Sequence, residues 1–122
     1  MSSIYFFDTY AFIEIIKGNE SYEKYKQSRF MTSLLNIIEL HYAILKNFNK
    51  TFATELTKKY LTCAIPIELV DIEKGNVFRL EHIKKKISTA DAIGYMLALK
   101  HDVKFLTGDE DFRGMPNVEF VK

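Results

Sequence analysis

Four apolar residues in a row, Ile4–Phe7, open the hydrophobic pattern of the chain and stop abruptly at Asp8. A short uninterrupted apolar run reads as a strand buried on both faces, the kind found in parallel sheets. Apolar residues then recur at helical spacing, at Phe12, Ile13, Ile15 and Ile16, so Asp8 falls where a strand turns into a helix. Gly18-Asn19 breaks that helix, and Ser21–Lys26 reads as a short polar one. Arg29–Thr32 predicts a second strand whose terminal hydroxyls can cap the helix that follows. That helix, Ser33–Phe48, carries Leu34, Leu35, Ile37, Ile38, Leu40, Tyr42 and Leu45 around most of its circumference and is expected to be largely buried. A break at Asn47–Lys50 precedes an amphipathic helix running to about Leu61.

Pro66 is expected to open a further strand, Ile67–Val70, ending at Asp71. A helix with Val77, Leu80, Ile83 and Ile87 on one face comes next, then a buried helix over Ser88–His101. Val103–Leu106 and Val118–Val121 read as strands, joined through the turn Thr107-Gly108-Asp109. Strands alternating with helices predict a three-layer α/β fold: a parallel sheet of about five strands with helices on both faces. No linker or repeat divides the chain, so residues 1–122 are expected to form a single domain.

Composition narrows the function classes. Hydrophobic residues make up 48% of the chain, which describes a folded protein rather than a disordered one. No apolar run reaches the roughly 20 residues that span a bilayer, and no basic segment precedes a long apolar stretch at the N-terminus. No membrane association and a cytoplasmic location are the expectations. Cys63 is the single cysteine, so an internal disulfide and a multi-cysteine metal site are excluded, and a small core residue is expected there. The net charge of +1 says little until the acids are sorted. With four acids sequestered in one site, 17 basic residues face 12 acidic ones, a balance of +5 that suits a phosphate-bearing substrate.

Four carboxylates stand out. Asp8 and Asp109 follow probable strands, at the sheet edge where α/β folds bind ligands. Each is also a good N-cap. Glu39 has Leu35, Asn36, Tyr42 and Ala43 as helical neighbours, with no Lys or Arg one turn away, and a buried charge there needs a partner or a cation. Asp91 lies in Ser88-Thr89-Ala90-Asp91, which has the spacing of a capping box, while Gly94 and Ala98 form a small-residue stripe beneath it. Carboxylates brought together remain ionised only if cations neutralise them, and hard oxygen ligands without a His or Cys cluster select Mg²⁺ or Mn²⁺. His41, His82 and His101 lack ligand spacing, and His101 reads as a helix C-terminal residue.

Asp8-Thr9 after an apolar strand, Asn36-Ile37-Ile38-Glu39-Leu40, Ala90-Asp91-Ala92 and Leu106-Thr107-Gly108-Asp109 together resemble the PIN domain. The resemblance spans nearly the whole chain. In length and wording the chain is similar to the short VapC-type toxins of toxin–antitoxin pairs, archaeal ones in particular. The resemblance implies a Mg²⁺- or Mn²⁺-dependent endoribonuclease using one or two ions, with Asp8, Glu39, Asp91 and Asp109 as catalytic metal ligands. Asp111, Thr9 and Thr107 would be accessory residues. Lys84, Lys85, Lys86 and Arg113 are candidate phosphate contacts. The partners it implies are RNA, a small antitoxin and a second copy of the chain. Many relatives carry Asn two residues after the first Asp, where this chain has Tyr10. The alternatives are a PIN nuclease of RNA processing and a non-catalytic PIN-fold RNA- or protein-binding module. Phosphotransfer folds fit less well. Tyr10 replaces the second Asp of a haloacid-dehalogenase-like phosphatase, and Asp8 stands alone where a response-regulator receiver has paired acids.

Overall fold

The computed structural model describes residues 3–122. Strands β1 (Ile4–Phe7), β2 (Arg29–Met31), β3 (Lys104–Thr107) and β4 (Val118–Phe120) form one sheet in the order β2-β1-β3-β4. All three pairings are parallel, with Phe6 level with Met31 on one side and Phe105 on the other. The helices are α1 (Thr9–Lys17), α2 (Leu34–Asn47), α3 (Lys50–Leu61), α4 (Leu69–Glu81) and α5 (Thr89–Lys100). A 3₁₀ segment, Glu20–Gln27, supplies the buried Tyr22 and Tyr25.

Alternation along β1 separates two cores, because successive strand side chains point to opposite faces. Phe6 joins Phe105, Ile93, Leu97 and Phe78 under α4 and α5. Phe7 joins Leu106, Phe12, Ile37 and Leu40 under α1 and α2. The result is the three-layer parallel fold expected from the pattern, with the apolar strands β1 and β3 at its centre. Removing one of these buried rings would cost roughly 3–5 kcal/mol.

Three expectations are corrected. Among the described residues the sheet has four strands, extended by an isolated bridge between Thr32 and Ala64. Ile67–Val70 is not a strand, since α4 begins at Leu69. The cause is local: the Asp71 carboxylate accepts the Glu68 backbone N–H at 2.8 Å, a first-turn helix cap that competes with sheet pairing. Asp71 is buried and also meets Lys100 at 3.3 Å. Asp71→Ala is expected to lower stability by roughly 1–2 kcal/mol by removing the cap. Urea unfolding measures this, and an unchanged midpoint would remove the capping account.

The second correction concerns burial. Helix α2 is not largely buried: Leu34, Ile38, Tyr42 and Leu45 are exposed, while Asn36, Ile37, Leu40 and Ile44 are buried and Leu35 packs half-buried against the core. On α4, Val77 and Leu80 are exposed while Gly75 and Phe78 pack inward; the helix ends at Glu81, so Ile83 and Ile87 lie in the segment after it, the first exposed and the second buried. Each helix touches the core along one stripe, whatever the chemistry of its remaining faces. The third is Cys63, which is half-buried in the turn after α3 rather than in the core.

Candidate functional site

The C-terminal ends of β1 and β3 lie side by side at the centre of the sheet, and the chain leaves them toward opposite edges. That divergence opens a crevice at the strand ends, the usual ligand position in open α/β sheets. Asp8 leaves β1 into it and Asp109 leaves β3 into it.

Asp8 is 1% exposed, and its Oδ1 accepts the Ala11 backbone N–H at 2.8 Å. The cap reading of Asp8 therefore holds, but one cap bond does not offset its surroundings. Burial first, and then the nearby charge of Asp91, raise its pKa well above the ordinary carboxylate value. Asp91 rides in the first turn of α5, which Ser88 caps by accepting the Asp91 N–H at 3.1 Å. Its pKa is pushed up to about 7, by burial and then by the charges of Glu39 and Asp109. Asp109 begins a 3₁₀ turn, its Oδ1 accepting the Asp111 N–H and its own N–H donating to Thr107 Oγ1, both at 3.0 Å. Asp111 lies close enough to add to the negative field on Asp91.

Glu39 is not the buried charge its neighbours implied. The residue is exposed, because the apolar face beside it on α2 is itself open to solvent. It nevertheless reaches the crevice, where Thr9 Oγ1 donates to its Oε1 at 3.2 Å. The structure thus gathers Asp8, Glu39, Asp91, Asp109 and Asp111 in one negative field.

Two features of the floor had a weak signal in the sequence. Asn36 is fully buried, its Oδ1 accepting from Ser33 Oγ at 2.7 Å and its backbone carbonyl accepting from Thr9 Oγ1 at 3.2 Å. A polar residue on the core stripe of α2 was the available sign of this network. The small-residue stripe on α5 is filled by protein: a Cβ on Gly94 would stand 2.8 Å from the Phe6 ring and 3.3 Å from Asn36 Oδ1. The glycine lets α5 settle close enough to β1 for Asp91 to face Asp8.

The basic residues divide. Lys85 Nζ donates to the Asp111 carbonyl at 2.9 Å, at the border of the acidic crevice. Arg113 is engaged elsewhere, in a two-pronged pair with Glu110 at 2.8 and 2.9 Å and over the Phe120 ring. Sequence reasoning missed Arg79, which donates to the Ile87 carbonyl at 3.2 Å and to Thr89 Oγ1 at 3.0 Å, bracing the loop before α5.

Whether the crevice suits a cation can be read from its donors. Among the described residues, no group of three or more His, Cys, Asp or Glu side chains is placed to hold a metal ion between them. Mg²⁺ does not require one, since it keeps several waters and binds through one or two carboxylates. Asp8 and Asp91 are buried acids raised further by the carboxylates around them, a field that a cation would relieve. The donor set fits a hydrated hard cation.

The sequence matches the PIN domain family over residues 5–118. Among curated proteins no relative matches. Solved structures of the same fold include the Mycobacterium tuberculosis toxin VapC20, described as cleaving the sarcin-ricin loop (TM-score 0.78, 17% identity, 98% of this chain and 100% of that one). A toxin–antitoxin complex from Klebsiella pneumoniae gives a TM-score of 0.73 at 22% identity, covering 93% and 94%. VapBC2 from Rickettsia felis, bound to a DNA fragment from its promoter, gives 0.68 at 20% identity, covering 97% of each chain.

Proposed function

The chain belongs to the PIN-domain family, and from that premise we propose that it is a metal-dependent endoribonuclease, the toxin of a VapBC-type toxin–antitoxin pair. The observation that carries this reading is the pair Asp8 and Asp91, two carboxylates drawn out of water at one sheet edge, Asp8 under the charge of Asp91 and Asp91 under the charges of Glu39 and Asp109. Such a pair is a standing cost to the fold unless a cation neutralises it.

Asp8, Asp91, Asp109 and Glu39 would hold one Mg²⁺ or Mn²⁺, or two when substrate is bound, one or two of them directly and the others through the ion's retained waters. Bound there, the cation supplies a water of lowered pKa and neutralises charge on a phosphodiester. The protein's own part is positioning. Thr9 steers the Glu39 carboxylate inward. Ser88 fixes the first turn of α5 and with it Asp91. Thr107 and Asp111 hold the turn that carries Asp109. No side chain is required as a covalent nucleophile.

The partner assignment draws support from α2. Leu34, Ile38, Tyr42 and Leu45 form an exposed apolar stripe beside Glu39, and contiguous exposed apolar surface marks protein contacts. A small antitoxin blocking the acidic crevice and a second copy of the chain are the proposed protein partners. Among the described residues, no helix is long and apolar enough to cross a membrane.

The test is cleavage of a mixed pool of structured RNAs with Mg²⁺, Mn²⁺ or EDTA, beside Asp8→Asn. Cutting is expected with either metal and is lost in EDTA and in the variant. RNA or protein binding with no cutting under any metal would replace the nuclease by a binding module.

A further inference from the structure

From the geometry beside the acidic crevice, we infer that the groove between the last turn of α4 and the loop entering α5 is a binding site for single-stranded RNA flanking the scissile bond. The inference rests on the nuclease reading above. The groove encloses about 350 Å³ and is lined by Asn76, Arg79, Leu80, Ile83, Lys85 and Lys86, with Ile87 among them. No acidic side chain lines it.

Its charge is unspent. Arg79 donates to a backbone carbonyl and a hydroxyl, and Lys85 donates to a backbone carbonyl, all neutral acceptors. Among the described residues, the ion pairs involve other cations and leave Arg79, Lys85 and Lys86 unneutralised. Unneutralised cations gathered in one groove attract a polyanion and release its counterions.

The same hydrogen bonds fix where the groove lies. Arg79 holds Thr89, two residues before Asp91. Lys85 holds Asp111, whose N–H is bonded to Asp109. A strand lying across the carboxylates therefore runs onto these cations within a few residues of protein surface. Leu80 and Ile83, 70% and 73% exposed, stand among the cations and offer an apolar seat for a base. Alternating phosphate and base seats suit a single strand with splayed bases better than a duplex, whose bases are stacked away. This sorts the basic residues: Lys85 and Lys86 join Arg79 in the groove, while Arg113 is committed to Glu110.

The test measures binding of a fluorescein-labelled, single-stranded 12-nucleotide RNA in EDTA across a salt series, with cleavage of the same strand in Mn²⁺ alongside. Lys85→Glu/Lys86→Glu is expected to weaken binding about tenfold and to flatten the log–log salt slope by roughly 1.4, two phosphate contacts' worth. Lys86→Glu alone, which breaks no hydrogen bond of the fold, is expected to flatten it by roughly half as much. Lys46→Glu/Lys58→Glu makes the same charge change on α2 and α3 and is expected to leave the slope unaltered. Leu80→Ser/Ile83→Ser is expected to weaken binding severalfold at an unchanged slope. If the parent chain binds and cuts RNA but the groove variants behave like the α2/α3 control, the groove is not an RNA site and the nuclease stands. Groove variants that keep RNA affinity but lose self-association in sedimentation would assign the groove to protein, overturning the inference. A parent chain that neither binds nor cuts any strand would end the nuclease reading, and this inference with it.

Discussion

Asp91→Asn is expected to abolish metal-dependent cleavage while making the metal-free protein more stable at pH 8. The two effects have one cause. Charge stabilisation at a metal centre is worth several kcal/mol, so losing a ligand lowers the rate by about 10³-fold. Yet in the metal-free fold the Asp91 charge is opposed by burial and by its acidic neighbours. Its pKa rises from 3.8 to about 7, so over that interval the folded protein holds a proton that the unfolded chain has released. Where the native state binds more protons, stability falls as pH rises. The metal-free protein is therefore expected to lose stability from about pH 4 to pH 7, and Asp91→Asn flattens that decline. Carboxylates must be deprotonated to bind a cation, so millimolar Mn²⁺ is expected to raise the melting temperature more at pH 8 than at pH 5. In Asp91→Asn that rise shrinks. Melting curves at both pH values and a cleavage assay measure all of this. Full cleavage in the variant would remove Asp91 from the site, and no Mn²⁺ shift at pH 8 would mean the acids are neutralised some other way.

Gly108→Ala is expected to destabilise the fold by about 1–3 kcal/mol, a fall in melting temperature of roughly 5–15 °C, and to impair cleavage. An added Cβ would stand 2.3 Å from Tyr10 Cε1 and 2.4 Å from the Val121 backbone carbonyl. The Tyr10 ring can turn aside; Val121 has less freedom. Its N–H is bonded to the Thr107 carbonyl at 2.9 Å, and its carbonyl accepts from the Tyr22 hydroxyl. Relieving the clash means moving the turn that carries Asp109 or unpairing the chain beyond β4. Tyr10→Ala/Gly108→Ala separates the two contacts. Only partial recovery is expected, because the backbone contact remains. A single variant that melts with the parent chain would show that the turn has room for a methyl group.

Tyr10 itself departs from the Asn that many PIN relatives carry two residues after the first Asp. In this chain the ring packs over the Gly108 turn, so the residue contributes packing rather than a metal ligand.

The fold class was legible in this sequence because its determinants are local. Ile4–Phe7 is apolar without interruption and Val103–Leu106 is broken only by Lys104, a pattern that suits strands buried at the centre of a sheet. Ser33, Asn49 and Ser88 cap helices where hydroxyl or amide residues precede apolar periodicity. The acids were legible by position, since a carboxylate directly after a buried strand has few destinations besides the sheet edge. The strand expected at Ile67–Val70 failed for a reason of the same local kind: the Asp71 cap outweighed the apolar run.

Tertiary structure decided what periodicity cannot carry. The apolar residues of α2 and α4 do not say which stripe meets the core, because each helix has more apolar faces than the fold has neighbours to cover them. Hence Leu34, Ile38 and Leu80 are exposed, and Glu39 stands at a solvent-facing rim. Side-chain reach likewise sorted the cations, setting Lys85 and Arg79 beside the crevice and tying Arg113 to Glu110. Burial and charge–charge interaction depend on distances in space, so the raised pKa of Asp91 exists only once β1, β3 and α5 have met. The sequence by itself determined the strands, the caps and the acids at the strand ends; their packing decided which surfaces stay open and which charges oppose one another.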